Sequence, residues 1–156
     1  MEKPNILWYE DEDITIKFSS TPHIGVRYIT PSMTDAEKKS IKKYPFINKT
    51  ELKVTIYDNL KEDVYIFAIP KGYCYDGASI PRFFWRLVGS KTDNTFLIAA
   101  LVHDILCENH NYINHDRYLS TIVFERLLYV GGVCGFKRWM MKHSVDNFQK
   151  FQGWGK

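Results

Sequence analysis

Most of the features that would announce a specialised class are scarce in this chain. Cys74, Cys107 and Cys134 are its three cysteines. They are odd in number, far apart and without Cys-x-x-Cys spacing, which argues against a disulfide framework or a zinc ribbon and predicts a reducing, cytoplasmic setting. Long apolar runs are missing too. The longest, 96–102, is far below the roughly 20 residues of a bilayer span, so no transmembrane helix is expected. Near the start, Glu10, Asp11, Glu12 and Asp13 stand where a secretion signal would need basic residues and an apolar stretch, and no such signal is expected. Charge of one sign is lacking as well. Lys and Arg number 21 against 18 Asp and Glu, and a net charge of +3 is too small to imply a nucleic-acid partner. Two basic clusters, Lys38/Lys39/Lys42/Lys43 and Lys137/Arg138/Lys142/Lys150, read as solvated helix faces. No internal repeat or low-complexity segment is evident.

What remains is an ordinary globular composition, 45% hydrophobic and 25% charged over 156 residues, enough for one core. Aromatics reach 15%, which implies large buried rings and leaves room for a binding groove. The expectation is one α+β domain spanning 1–156. Residues 1–70 should be mainly antiparallel β with one polar helix at 35–44, packed on a helical subdomain of three to four helices at 80–152.

Strands are predicted at 14–18 and 24–29, around a Ser-Ser-Thr-Pro turn. Thr34 and Glu37 form a capping box for the polar helix, which Pro45 stops. The alternating stretches 52–57 and 64–69 predict a β-hairpin with the polar loop 58–63. A short helix is expected from Pro81, capped by Ser79 and ending at Gly89. Further helices are predicted at 93–107, from Asn114 or His115 to 130, and over 136–151 beyond a glycine-rich break.

The helix at 93–107 is apolar on all sides and therefore central, yet it contains His103-Asp104. A buried carboxylate costs several kcal/mol, by rough estimate, unless it is paired, hydrogen-bonded or metal-bound. An antiparallel hairpin with the next helix would bring His103 and Asp104 near His115, Asp116 and Arg117. The loop Asp76-Gly77-Ala78-Ser79-Ile80-Pro81-Arg82 would contribute a further carboxylate and closely approaching amides. Carboxylates with an imidazole make a set for a divalent cation or for acid–base work. On this reading His103 and Asp104 are catalytic, Asp76, Asp104 and Asp116 hold calcium, magnesium, manganese or zinc, and Ser79, Arg82, His115 and Arg117 bind the ligand. The structural alternative has Asp76 and Ser79 as helix caps, His103 donating to a core carbonyl, and Asp104 or Asp116 paired with Arg82 or Arg117. His23, His110 and His143 read as surface or capping residues, and Trp85, Trp139 and Trp154 as core or anchor residues. Cys107 lies one turn beyond His103, and nothing else marks it as an activated thiol.

The motifs Ile69-Pro70-Lys71-Gly72-Tyr73, Asp76-Gly77-Ala78-Ser79-Ile80-Pro81-Arg82, Ala100-Leu101-Val102-His103-Asp104-Ile105-Leu106 and Asp116-Arg117 resemble the domain of unknown function 1353 family of tailed bacteriophages and prophages. The resemblance covers roughly 50–152. It implies a phage or prophage origin, in the host cytoplasm or associated with the virion, and supplies no established catalytic residue or substrate. The His103-Asp104 pair on a buried helix is also similar to that of the calcium-dependent secreted phospholipases, by analogy only.

Two functional expectations follow. One is a metal-assisted hydrolase with His103 as general base. The other is a non-enzymatic phage accessory module that is tail-associated or binds a phage structural or host protein, with the polar cluster structural. Nucleic-acid binding ranks below both, since it would need the C-terminal lysines on one continuous face.

Overall fold

A computed structural model of the chain describes residues 8–75 and 94–154. Asp76, Ser79, Arg82, Trp85 and the short helix expected from Pro81 lie outside the described residues. Strand β1 (Trp8–Glu10), β2 (Ile14–Phe18), β5 (Leu52–Asp58) and β6 (Asp63–Ile69) form a four-stranded antiparallel sheet in the order β1-β2-β5-β6. A three-stranded antiparallel sheet, β3-β4-β7, joins β3 (Ile24–Val26), β4 (Phe46–Asn48) and β7 (Cys74–Tyr75). The strands expected on either side of the 19–22 turn thus enter different sheets, and the second is shorter than its 24–29 expectation.

Alternation decides the larger sheet. Leu52, Val54 and Ile56 pair with Ile69, Phe67 and Tyr65, while Ile16 and Phe18 pair with Ile56 and Val54. Side chains of paired residues share a face, so these apolar positions line one buried surface. Asp58 closes the hairpin: its Oδ1 accepts from the amides of Leu60 and Lys61, both at 3.1 Å. Glu62 takes a left-handed φ of 58° at the end of that loop. Helix α1 (Asp35–Lys43) has the expected capping box between Thr34 and Glu37 and lies mostly exposed.

Three helices form the described part of the second half: α2 (Asn94–Glu108), α3 (Arg117–Val130) and α4 (Gly135–Phe151). Helix α2 is buried from Phe96 to Leu106, as its all-round apolar character requires. At the end of α3, Gly132 adopts φ +80°, and the Gly132 and Val133 amides bond to the Tyr129 and Leu128 carbonyls. This Schellman closure needs the left-handed conformation that glycine tolerates. It reverses the chain into α4.

Buried residues of the larger sheet and of all three helices form one contiguous cluster, so the arrangement is α+β with strands packed on helices. Polar ties reinforce the junction. Arg126 of α3 reaches Asp11 (2.5 Å) and Asp13 (3.5 Å) in the β1–β2 turn and pairs with Glu125, which in turn accepts from Arg138 of α4 (3.2 Å). Burial alone would raise the Asp11 carboxyl. Bonds from Arg126, the Ile14 amide, the Tyr9 hydroxyl and the Asp13 amide pull it down to about 2 instead.

Candidate functional site

Among the described residues, chemistry-bearing side chains gather in a sealed seam between the helices and in an open cleft where helices meet the hairpin, with Asp104 apart from both. In the seam, His103 is fully buried, with its ring centroid 5.2 Å from that of Phe124 on α3. Its Nδ1 lies 3.8 Å from Cys107 Sγ, one turn further along α2. Gln149 of α4, also fully buried, donates to Ser120 Oγ and approaches Cys107 Sγ at 3.8 Å. Thr121 Oγ1 stands 3.3 Å from Gln149 Oε1 and 3.2 Å from Asp146 Oδ1. Asp146 pairs in turn with Arg117 Nε at 3.1 Å. A polar chain therefore runs from the core to the surface through all three helices. Burial pushes the His103 imidazole down to about 4, against a side-chain hydrogen bond with Gln149 that works the other way. At neutral pH the ring is uncharged.

The helix pairing sets what His103 can meet. His103 faces Phe124, while Cys107 and Ser120 share Gln149, so α2 and α3 run antiparallel. Asp116 is eight positions before Phe124, about 12 Å along α3 at 1.5 Å per residue. The connection 109–116 separates the helices by more than a tight turn, so residue 103 meets 124 and not the 115–117 segment that the shorter expected loop would bring to it. Asp104 points elsewhere again, because neighbouring helix positions are turned by about 100°. It is buried near Tyr75 of β7, and its charge adds to burial in raising the Tyr75 phenol, whose hydroxyl donates to the Leu97 carbonyl at 2.8 Å. Asp104 thus lies toward the strand that leads into Asp76.

Asp116 is the N-cap of α3, accepting from the Leu119 amide at 3.0 Å through Oδ1, while Oδ2 pairs with Lys61 Nζ of the hairpin loop at 2.7 Å. The helix therefore starts after Asp116 rather than at Asn114 or His115, both of which take a left-handed φ of 55°. His115 is exposed. Its Nε2 is 2.7 Å from His110 Nδ1, and both rings lie against the buried Trp154. Arg117 is half-buried against Asp146.

These residues border a cleft of about 960 Å³. Its lining includes Lys61 and Tyr65 of the hairpin, His115, Asp116 and Arg117 at the start of α3, and Lys142, His143 and Asp146 of α4. His103 and Asp104 do not line it. Of the residues expected to form one centre, the structure brings together His115, Asp116 and Arg117, and holds His103 and Asp104 apart from them. Among the described residues, no group of three or more His, Cys, Asp or Glu side chains is disposed to hold a metal ion. Sequence reasoning missed Ser120, Thr121, Asp146 and Gln149. Their signal was present as polar positions on the inner sides of α3 and α4, at spacings of one and three residues.

Comparison with known proteins adds a family without chemistry. An uncharacterized protein, y4jT, of Sinorhizobium fredii (strain NBRC 101917 / NGR234) is 32% identical over 80 residues, covering 51% of this chain and 23% of that protein. The chain thus spans under a quarter of the length of the curated relative it matches. No solved structure matches it. Residues 52–145 match the family described as "Protein of unknown function (DUF1353)", a stretch that contains the hairpin, all four motifs, α2, α3 and most of α4, and the chain belongs to that family.

Proposed function

We propose that the protein is a non-enzymatic accessory module, in the phage or prophage setting its motifs imply, and that its cleft receives a segment of a phage structural or host protein. The observation that carries this is the burial of His103: a ring packed on Phe124, driven to its neutral form and enclosed by Cys107 and the Gln149 network, lacks the solvent access a general base for a bound substrate requires. The seam locks three helices together. The cleft is the open polar surface, and its two ion pairs, Lys61–Asp116 and Arg117–Asp146, offer both signs of charge to a peptide.

Thermal melts with calcium, magnesium, manganese or zinc, together with turnover assays on p-nitrophenyl acetate and p-nitrophenyl phosphate, test this reading. The module reading expects no metal-dependent rise in midpoint, no turnover, and a clear loss of stability in His103→Ala. Turnover that disappears in a folded His103→Gln variant would overturn it.

A hydrolase remains the second reading, favoured by one observation: Asp104 acts on Tyr75, the residue directly before Asp76. In that reading Asp76 and Asp104 share a divalent cation beside His103, with Ser79 and Arg82 of the same motif binding substrate. A midpoint raised by one cation in the parent, and not in Asp104→Asn, would favour it.

A further inference from the structure

Helix α4 presents two apolar faces where a surface helix ordinarily has one. Met141, Val145 and Gln149 face the core. On the other side Phe136 is 70% exposed, Trp139 58% and Phe151 91%. At about 100° per residue these three positions, with Met140, His143 and Asn147, fall on one side of the helix. The rings are organised: Phe136 and Trp139 stack at 6.5 Å, and Trp139 meets the His143 ring edge-on at 4.6 Å. An exposed aromatic strip of this kind marks an interaction surface.

Charge indicates what covers it. Helix α4 carries Lys137, Arg138, Lys142 and Lys150 against Asp146 alone. Asp146 is held by Arg117, and Arg138 is turned inward to Glu125. Lys150 falls within the strip, between Trp139 and His143, and Lys137 and Lys142 lie beyond its two edges. Lysine is depleted at protein–protein interfaces, whereas lysine beside Trp and Phe is the pattern of helices that lie in a lipid headgroup layer. Lysine stems can follow the apolar surface while their ammonium groups meet lipid phosphates. No described helix is long and apolar enough to cross a membrane, so contact would be in the plane of the surface.

We propose that the outward face of α4, built on Phe136, Trp139, Lys150 and Phe151 and flanked by Lys137 and Lys142, docks onto an anionic lipid bilayer surface. The face shares Lys142 and His143 with the edge of the cleft, whereas Phe136, Trp139, Lys150 and Phe151 do not line it. Co-sedimentation of the full chain with vesicles of equal parts phosphatidylglycerol and phosphatidylcholine, against vesicles of phosphatidylcholine alone, tests it. The expected result is binding to the anionic vesicles only, weakened by added salt, with a blue-shifted tryptophan emission that is absent in Trp139→Phe. Each Lys→Gln change among the three lysines should lower vesicle affinity roughly fivefold. The exposed Trp139→Ser, Phe151→Ser double variant should abolish binding while melting like the parent. Absence of binding to anionic vesicles at low salt, or undiminished binding by that double variant, overturns the proposal. Concentration-dependent dimerisation without lipid, lost in the same variant, would assign the face to a second copy and also overturn it.

Discussion

The seam and the cleft are built from similar residues, His and Asp with amide, hydroxyl or cationic partners, and they differ in their access to water. In the seam, desolvation suppresses charge: His103 is held neutral, and Gln149, Ser120 and Thr121 satisfy one another because no water can. In the cleft the ion pairs Lys61–Asp116 and Arg117–Asp146 are reached by solvent, Lys61 being 61% exposed and Asp146 33%. Asp146 belongs to both, ending the seam's chain through Thr121 and starting the cleft's ion pair with Arg117. The adjacent His103 and Asp104 are thus buried, while His115 and Asp116, a few residues on, line the cleft.

Several measurements would sharpen or break this contrast. The largest effect should come from Gln149→Ala. Removing a buried amide leaves Ser120 without its partner and Thr121 with Asp146 alone, and opens a cavity, a loss of roughly 2–4 kcal/mol in urea unfolding. A loss under about 0.5 kcal/mol would mean that the seam does not hold the helices. Nearly as large is the acid response of His103. Its folded pKa of about 4 lies below the ordinary 6.5, so the unfolded chain binds the proton first. The contribution of the neutral ring is complete above pH 6.5 and fades as pH falls toward 4, by on the order of 3 kcal/mol in all. Unfolding free energies measured across that window should show this slope, and His103→Leu should flatten it. Asp116→Ala removes the α3 cap and the Lys61 pair, for about 1–2 kcal/mol, whereas Asp116→Asn keeps the cap and should lose less. Smallest of all, Lys61→Ala should change stability by no more than about 0.5 kcal/mol, because its ammonium is largely exposed. A loss of several kcal/mol there would show that the cleft is as structural as the seam.

Legibility tracked periodicity. The hairpin expected at 52–57 and 64–69 is found at Leu52–Asp58 and Asp63–Ile69, because alternation over seven residues fixes both strand and face. Helix α1 was readable from its capping box, and α4 begins one residue before its expected start. Strands β1, β4 and β7 escaped notice, since two or three residues carry no measurable period. Trp154 is buried as an anchor, but Trp139, equally apolar by sequence, is exposed. Nothing in a helical pattern says which of two apolar faces meets the core. The expected His103–Asp116 meeting failed for a related reason: it depended on the length and path of the 109–116 connection, where two successive left-handed residues shift the start of α3.

Residue type, alternation and capping were enough to determine the α+β class, the main hairpin, the central burial of α2 and the need to accommodate His103 and Asp104 inside it. Which way those two side chains turn, which of the aspartates becomes a helix cap, and where an open cleft forms were decided only when three helices and a sheet packed together. These outcomes depend on distances between residues far apart in the chain, and local sequence physics does not encode such distances.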